Sequence, residues 1–406
     1  MSAANTTQAR PLLPSLSSAS DFALFAGQVT SSAVVLVSAV VCLVYLIVGI
    51  QWQGRTFLGV STSYTLVVDG STSLSGTEWA GHAAGVQRLD RLTQLEHVQL
   101  DASGAVSAVL ASTSLNLNND YRAARNALRD ALTTMQAGDV VRLSFDRTRP
   151  IGPSTARTAV TCAPLRGGVA PCSVVYTLEA YPTTDTIAYF AFPFGATVVA
   201  LAVAVTLIFL RATQPSAQLV AVFCATLAVF IAGIYNNGTT HVWMPMWIIF
   251  TVIGAAVAYI LVFVFPSRSS LAFRFPVVLG VPVVLASGLL IYDLQLYFNP
   301  ATPYAFSVVW QLPVGAAFSA FITLFVVFGL RRRNITSAAQ RDQINTAILG
   351  FGLAVIPSFL WLFNTLAILS GNSIPSPFTS ATILPFFVAI PISMAYAVLE
   401  YRSGTS

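Results

Sequence analysis

Eight stretches of about 20 apolar residues recur along this 406-residue chain, and nothing constrains its fold more. The first, "SSAVVLVSAVVCLVYLIVGI", occupies 31–50; the others lie at about 186–210, 217–235, 246–265, 276–294, 307–330, 344–369 and 380–400. A hydrocarbon core roughly 30 Å thick is crossed by about 20 helical residues. Composition agrees, with 55% hydrophobic and 9% charged residues and a mean hydropathy of +0.74, where soluble domains carry roughly 25% charge. The expected fold class is an α-helical polytopic membrane protein with eight spans, one plus seven. A cleaved signal peptide competes for the first run. Its apolar region would be too long, only Arg10 precedes it, and no A-x-A-like site follows.

The net charge of +5 invites a nucleic-acid reading, which the placement of charge removes. Between Trp52 and Asp185 lie 11 Arg and 11 Asp or Glu, and the rest of the chain holds 9 Arg and 4 acids. The excess therefore belongs to membrane-flanking segments, where it sets orientation and not affinity for anionic polymers. One set of connections carries Arg211, Arg268, Arg274, Arg331, Arg332, Arg333, Arg341 and the exit residue Arg402. The alternate set, "NNGTTHVWMP", "QLYFNPATPYAF" and "GNSIPSPFTS", carries no Lys or Arg. By the positive-inside rule both termini are expected in the cytoplasm. The expected organisation is a cytoplasmic tail (1–30), a first span (31–51), an extracytoplasmic domain (52–185), a seven-helix bundle (186–402) and a cytoplasmic end (403–406). Trp243, Trp247, Tyr297, Tyr304 and Trp310 fall at the outer ends, as interfacial belts do.

The 52–185 insert reads as a water-soluble α+β unit. Asn119 or Asp120 can cap a helix in which Tyr121, Ala124, Leu128, Leu132 and Met135 have core spacing. Gly138-Asp139 then turns into the alternating strand "VVRLSF". Cys162 and Cys172 flank "APLRGGVAP", a hairpin that can bring the thiols across from each other in a compartment that permits a disulfide; two free thiols are the alternative. Cys42 and Cys224 lie inside spans as packing residues. Arg122, Arg125 and Arg129 share one helical face, either as a solvated stripe or as a clamp for an acidic ligand.

"FLGV" at 57–60, "AGVQRLDRL" at 84–92 and a helix ending in "AGDVVRL" at 137–143 together resemble a bacterial PDZ domain. The resemblance implies that the backbone amides of Phe57, Leu58, Gly59 and Val60 receive a peptide carboxylate, and that the next strand pairs with the peptide beside the Tyr121–Met135 helix. The chain departs from the pattern at Leu89-Asp90, where Gly-Asp is common, and in the extra stretch 100–118. A PDZ-like spacer that binds nothing stands as the other reading.

Arg331-Arg332-Arg333, the polar loop "NITSAAQRDQ" and the closing "PISMAYAVLEYR" resemble the multi-span sensory region of bacterial sensor histidine kinases, in which a span, an outer PDZ-like domain and seven further spans precede the enzyme. The quorum-sensing kinases of this layout detect a modified peptide. The resemblance implies a bacterial cytoplasmic membrane and a signalling role for Arg331, Arg332, Arg333, Arg341 and Gln343. The 406 residues contain no phosphoacceptor segment or ATP lid, and no H-E-x-x-H, G-x-S-x-G or P-loop. No enzyme, cofactor or metal site is expected; His82, His97 and His241 stand apart, and His241 is expected to be solvated.

Two functions follow. One is a sensor that binds a peptide or protein outside and signals to a separate cytoplasmic or membrane partner, or forms part of a larger receptor. The other is an assembly subunit docking partners within a membrane complex. A transporter ranks third, because Asp293 is the sole acid well inside an apolar run and no matching broken halves are seen.

Overall fold

The computed structural model describes residues 19–68, 78–116, 120–148, 160–165, 167–267, 269–299, 303–304, 311–369 and 383–399. Asn119, Arg268, Trp310, the 371–380 connection, Glu400, Tyr401 and Arg402 lie outside them. Helix α1 runs unbroken over Ala19–Trp52, so it takes in the "DFALFAG" stretch expected in the tail. It stops where Gly54 adopts a left-handed φ of 71°, a conformation in which a Cβ is costly.

The insert then builds β1 (Thr56–Phe57), α2 (Ala80–Ala83), β2 (Arg91–Leu100), β3 (Val106–Ser114), α3 (Tyr121–Thr134), β4 (Val140–Arg147), β5 (Thr161–Cys162), β6 (Ala170–Thr177) and β7 (Glu179–Ala180). Five strands form an antiparallel sheet in the order β3-β2-β4-β6-β5, and β1 pairs with β7. Strict alternation in β4 sends Val141, Leu143, Phe145 and Arg147 to the buried face. There Val141, Leu143 and Phe145 share one core with Ala124, Leu128 and Leu132 of α3. Asp120 caps α3 by accepting from the Ala123 N–H at 3.0 Å. The expected hairpin is present, with Gly167 and Gly168 at positive φ, Cys162 opposite Cys172, and a disulfide joining them.

Arg147, at the end of that alternating row, is only 3% exposed. Its guanidinium donates to both oxygens of the equally buried Asp90, at 2.9 and 2.6 Å, and to the Gly85 carbonyl at 2.8 Å. Asp90 also accepts from the Gln87 N–H at 2.7 Å. Beside it Leu89 sits at φ 71°, the left-handed region that glycine adopts without a Cβ penalty. Left-handed backbone costs an L-residue roughly 1–2 kcal/mol. Leu89→Gly is therefore expected to stabilise the protein by about 1 kcal/mol after the entropy cost of glycine is subtracted. Thermal unfolding checks this; Leu89→Ala keeps the strain and should show no gain.

The membrane part comprises α4 (Thr183–Thr186), α5 (Phe192–Arg211), α6 (Pro215–Gly238), α7 (Met244–Val264), α8 (Ser270–Arg274), α9 (Val281–Phe298), α10 (Gln311–Asn334), α11 (Ala338–Leu369) and α12 (Ala389–Leu399). A π turn over Ile187–Ala191 joins α4 to α5 just before Pro193, which has no N–H to donate. Among the described residues, seven helical segments are long and apolar enough to cross a membrane, which marks a multi-pass membrane protein. The run expected at 380–400 contains a shorter apolar helix, Phe386–Leu399.

Helix α6 is the axle of the bundle. In its most apolar window 83% of residues are buried, against 11% in the segment Pro276–Phe298, so α9 stands at the periphery. Small residues let neighbours close in on the axle. Gly233 faces the indole of Trp247, Gly254 lies against Thr226, and Ala258 and Ala320 are fully buried.

The arginines gather at the end of the bundle away from the insert. Arg331 donates to the carbonyls of Val262, Phe265 and Ser267 at 3.1, 2.6 and 2.6 Å, and so caps the C-terminus of α7. Arg211 donates to Leu399 O at 3.1 Å, and Gln343 to Ala397 O at 3.1 Å. Arg332, Arg333 and Arg341 are exposed beside them.

Candidate functional site

Every residue from Phe57 to Val68 is buried. The turn Phe57-Leu58-Gly59-Val60 is covered by α2: a Cβ on Gly59 would lie 2.2 Å from the Gly81 nitrogen. The Gly59 carbonyl accepts from His82 N–H at 3.2 Å, and the Leu58 carbonyl from the Tyr176 hydroxyl at 2.7 Å. Among the described residues no ladder strand follows directly. Residues 61–68 make only isolated bridges, Thr62 with Val68 and Val67 with Arg91. The four residues expected to receive a carboxylate are thus buried, packed under α2.

The physical reason is that the segment after the turn seats the insert on the bundle. Ser61 donates to Gly238 O at 2.9 Å and Thr65 to Pro303 O at 2.7 Å. The Tyr64 ring lies 4.3 Å from that of Tyr297. A second seat is aromatic. Phe57, Trp79 and Tyr181 of the insert pack with Phe190 and Tyr235 of the bundle, and Trp79 Nε1 donates to Asp185 Oδ2 at 2.8 Å.

Between these seats and α3 opens a cleft of about 700 Å³, within the range of small-ligand sites. Its outer wall is the polar face of α3, with Arg122, Arg125, Asn126 and Arg129; its inner wall is Tyr64, His241, Val242, Trp243, Pro245, Tyr297 and Phe298. The face exists because Ala124, Leu128 and Leu132 hold the opposite side of α3 in the core. Arg125 stacks 4.5 Å above the Tyr64 ring, and its Nη1 is buried without a hydrogen-bond partner. Burial pulls its pKa below the usual guanidinium range, against the pull of Tyr64 and Tyr297. Arg122 and Arg129 are exposed, and Arg129 lies 3.5 Å from Asp130. Asp120, the one acid on the rim, is occupied as the cap of α3.

The inner wall is a strained loop. His241 and Trp243 both have left-handed backbone, at φ 55° and 53°. Asn236 holds them there: its side chain donates to Val242 O at 2.7 Å, accepts from Val242 N–H at 3.0 Å, and accepts from the Thr240 hydroxyl. Tyr45 of α1 adds a hydrogen bond to Trp243 O at 3.2 Å. His241, expected to be solvated, is 2% exposed. Its Nε2 donates to Thr62 O at 2.8 Å, since a carbonyl can only accept, and its Nδ1 is left as a bare acceptor.

Burial, reinforced by the Arg125 charge, drops the His241 pKa from 6.5 to about 3 despite the Thr62 carbonyl. The folded state therefore keeps His241 neutral while the unfolded chain takes up a proton. Stability is full above about pH 6.5 and is lost as pH falls toward 3, by up to about 1.4 kcal/mol per unit. His241 alone is expected to cost the wild type about 1.6 kcal/mol between pH 6.5 and pH 5. His241→Asn tolerates the left-handed backbone and should show a flatter profile in thermal unfolding against pH.

Of the residues singled out from sequence, Arg122 and Arg125 come together in this cleft. Phe57 to Val60 lie outside its lining, and Arg331, Arg332, Arg333, Arg341 and Gln343 sit at the far end of the bundle. Tyr64, His241, Trp243 and Tyr297 were missed as one site, although Trp243 and Tyr297 were visible as outer-end aromatics. Asp293 is 1% exposed with both oxygens unpartnered, one turn below Tyr297 on α9. Among the described residues no three His, Cys, Asp or Glu converge as a metal site. Comparison of the chain with family models, with curated proteins and with solved structures found no match.

Proposed function

We propose that the chain is a non-catalytic sensor or receptor module of a bacterial cytoplasmic membrane, with the insert outside and the arginine-bearing connections inside. Its ligand enters the basic cleft, and a separate cytoplasmic or membrane partner reads the Arg331–Gln343 region. One observation carries this reading: α7 spans both places. Its N-terminus follows Trp243 and includes Pro245 in the cleft wall, and its C-terminal carbonyls are held by Arg331. A ligand that favours one seating of the insert over another also biases how α7 meets Arg331, provided its affinity for the two arrangements differs. The resemblances to a PDZ domain and to a kinase sensory region point the same way. A peptide or protein end was the ligand expected from sequence; the arginines require only that the ligand be anionic.

The test is a fluorescent label on Arg333→Cys in reconstituted protein. Anionic ligand fractions, peptides included, should change its signal in the wild-type background and not with Arg125→Ala. A label that never responds would sink the receptor reading. One observation favours the assembly reading instead: β3 is an edge strand with Val109 and Leu110 exposed, able to take a partner strand. A fixed set of subunits co-purifying in mild detergent would support that alternative.

A further inference from the structure

The cleft opens at the end of α9, a helix whose apolar side chains are largely exposed, and its ligand can be narrowed on that ground. α9 presents one apolar stripe to its surroundings: Val284, Ile291 and Phe298 recur every seven residues, two turns apart, and are 70, 67 and 72% exposed. Phe298 is at once the top of this stripe and part of the cleft lining. A molecule with its apolar chain along α9 therefore has its polar end beside Arg122 and Arg125. Trp243, nearly half exposed on the wall facing those arginines, is of the residue type enriched where membranes meet water.

Two guanidinium groups on one wall favour an anionic polar end: Arg125 hydrogen-bonds Tyr297 but leaves its Nη1 without an acceptor, and Arg122 is exposed with no acidic partner among the described residues. Phosphate fits planar guanidinium forks. His241 borders the cleft as well, and its buried Nδ1 is a neutral acceptor without a partner. We infer that the cleft seats the phosphate headgroup of an anionic phospholipid drawn from the leaflet on the insert's side, its acyl chain lying along α9. The inference rests on the cleft being the ligand site of the receptor proposed above, and makes membrane lipid composition an input to it.

The experiment uses the full chain in detergent with three probes: phosphatidylglycerol, phosphatidylcholine and inorganic phosphate. Retained lipid is read by native mass spectrometry and stabilisation by thermal unfolding. Phosphatidylglycerol should bind about tenfold or more in preference to phosphatidylcholine. Arg122→Gln, at an exposed position, should lower that preference about tenfold, and Arg125→Lys should lower it further because it loses the planar fork. Stabilisation by inorganic phosphate equal to that by phosphatidylglycerol would overturn the lipid source in favour of a free anion. A preference that survives both substitutions would show only the general charge of the membrane surface and would overturn the site. If lipid preference is absent while the Arg333→Cys label still responds to peptide fractions through Arg125, this inference fails and the receptor reading stands. If neither assay depends on Arg125, both fall.

Discussion

Arg147→Met is expected to destabilise the protein by about 3–5 kcal/mol, the largest loss of any substitution considered, because it leaves the Asp90 carboxylate buried without its counter-charge. Asp90 is 1% exposed and receives two hydrogen bonds from Arg147, so solvent can do little to screen the stranded charge. The damage should centre on β2 and β4, since Asp90 precedes one strand and Arg147 ends the other, and Arg91 pairs with Asp146 in the ladder. Thermal unfolding of the full chain, with hydrogen exchange of the two strands, measures it. Combining Arg147→Met with Asp90→Leu should recover part of the loss, because the uncompensated charge is then gone. Recovery stays incomplete, as the Gln87 N–H and the Gly85 carbonyl lose their partners. A single substitution costing under about 1 kcal/mol would mean the pair is hydrated in solution.

Gly233→Val should disrupt the bundle at its axle. A Cβ there would lie 2.1 Å from Cδ1 of Trp247, a distance no real contact shows, so α6 and α7 must separate. The indole has no room to yield: it is 1% exposed, its Nε1 donates to Phe230 O at 3.0 Å, and its ring stacks on Phe230 at 5.9 Å. Overpacking of this kind costs about 1–3 kcal/mol or more, and here it moves the start of α7, which borders the cleft. The expected result is a lower yield of monodisperse protein in detergent and a lower thermal midpoint. Gly288 on α9 has open space around its Cβ position. Gly288→Ala is the control and should be neutral or slightly stabilising through helix propensity. Equal behaviour of the two variants would mean that α6 and α7 are not packed through Gly233.

Much of the architecture was legible because its causes are local. A run of apolar residues either matches the hydrocarbon thickness or does not, and α5, α6, α7, α9, α10 and α11 fall where hydropathy put them. The amphipathic period of Tyr121, Ala124, Leu128 and Leu132 and the alternation of "VVRLSF" report a helix and a strand through spacings of 3.6 and 2. The Cys162–Cys172 bridge was within reach because its hairpin is short. Leu89 shows the limit of motif reading: its departure from glycine was visible, but that the chain accepts the backbone strain was not. The early start of α1 was also missed, since the polar composition of residues before Ser31 hid a helix that continues through them.

Local pattern alone was enough to mark most of the long apolar helices, the α+β insert between the first and second of them, and the face of α3 that carries arginines. Long-range packing set the rest: the F-L-G-V turn is buried, His241 is buried, and Arg122 and Arg125 share a cleft with Tyr64, Trp243 and Tyr297. Those outcomes depend on contacts such as Ser61 to Gly238 and Thr65 to Pro303, whose partners lie 177 and 238 residues apart. Periodicity carries no trace of pairings at that separation; they are chosen when two independently patterned surfaces dock and exclude water from what lies between them.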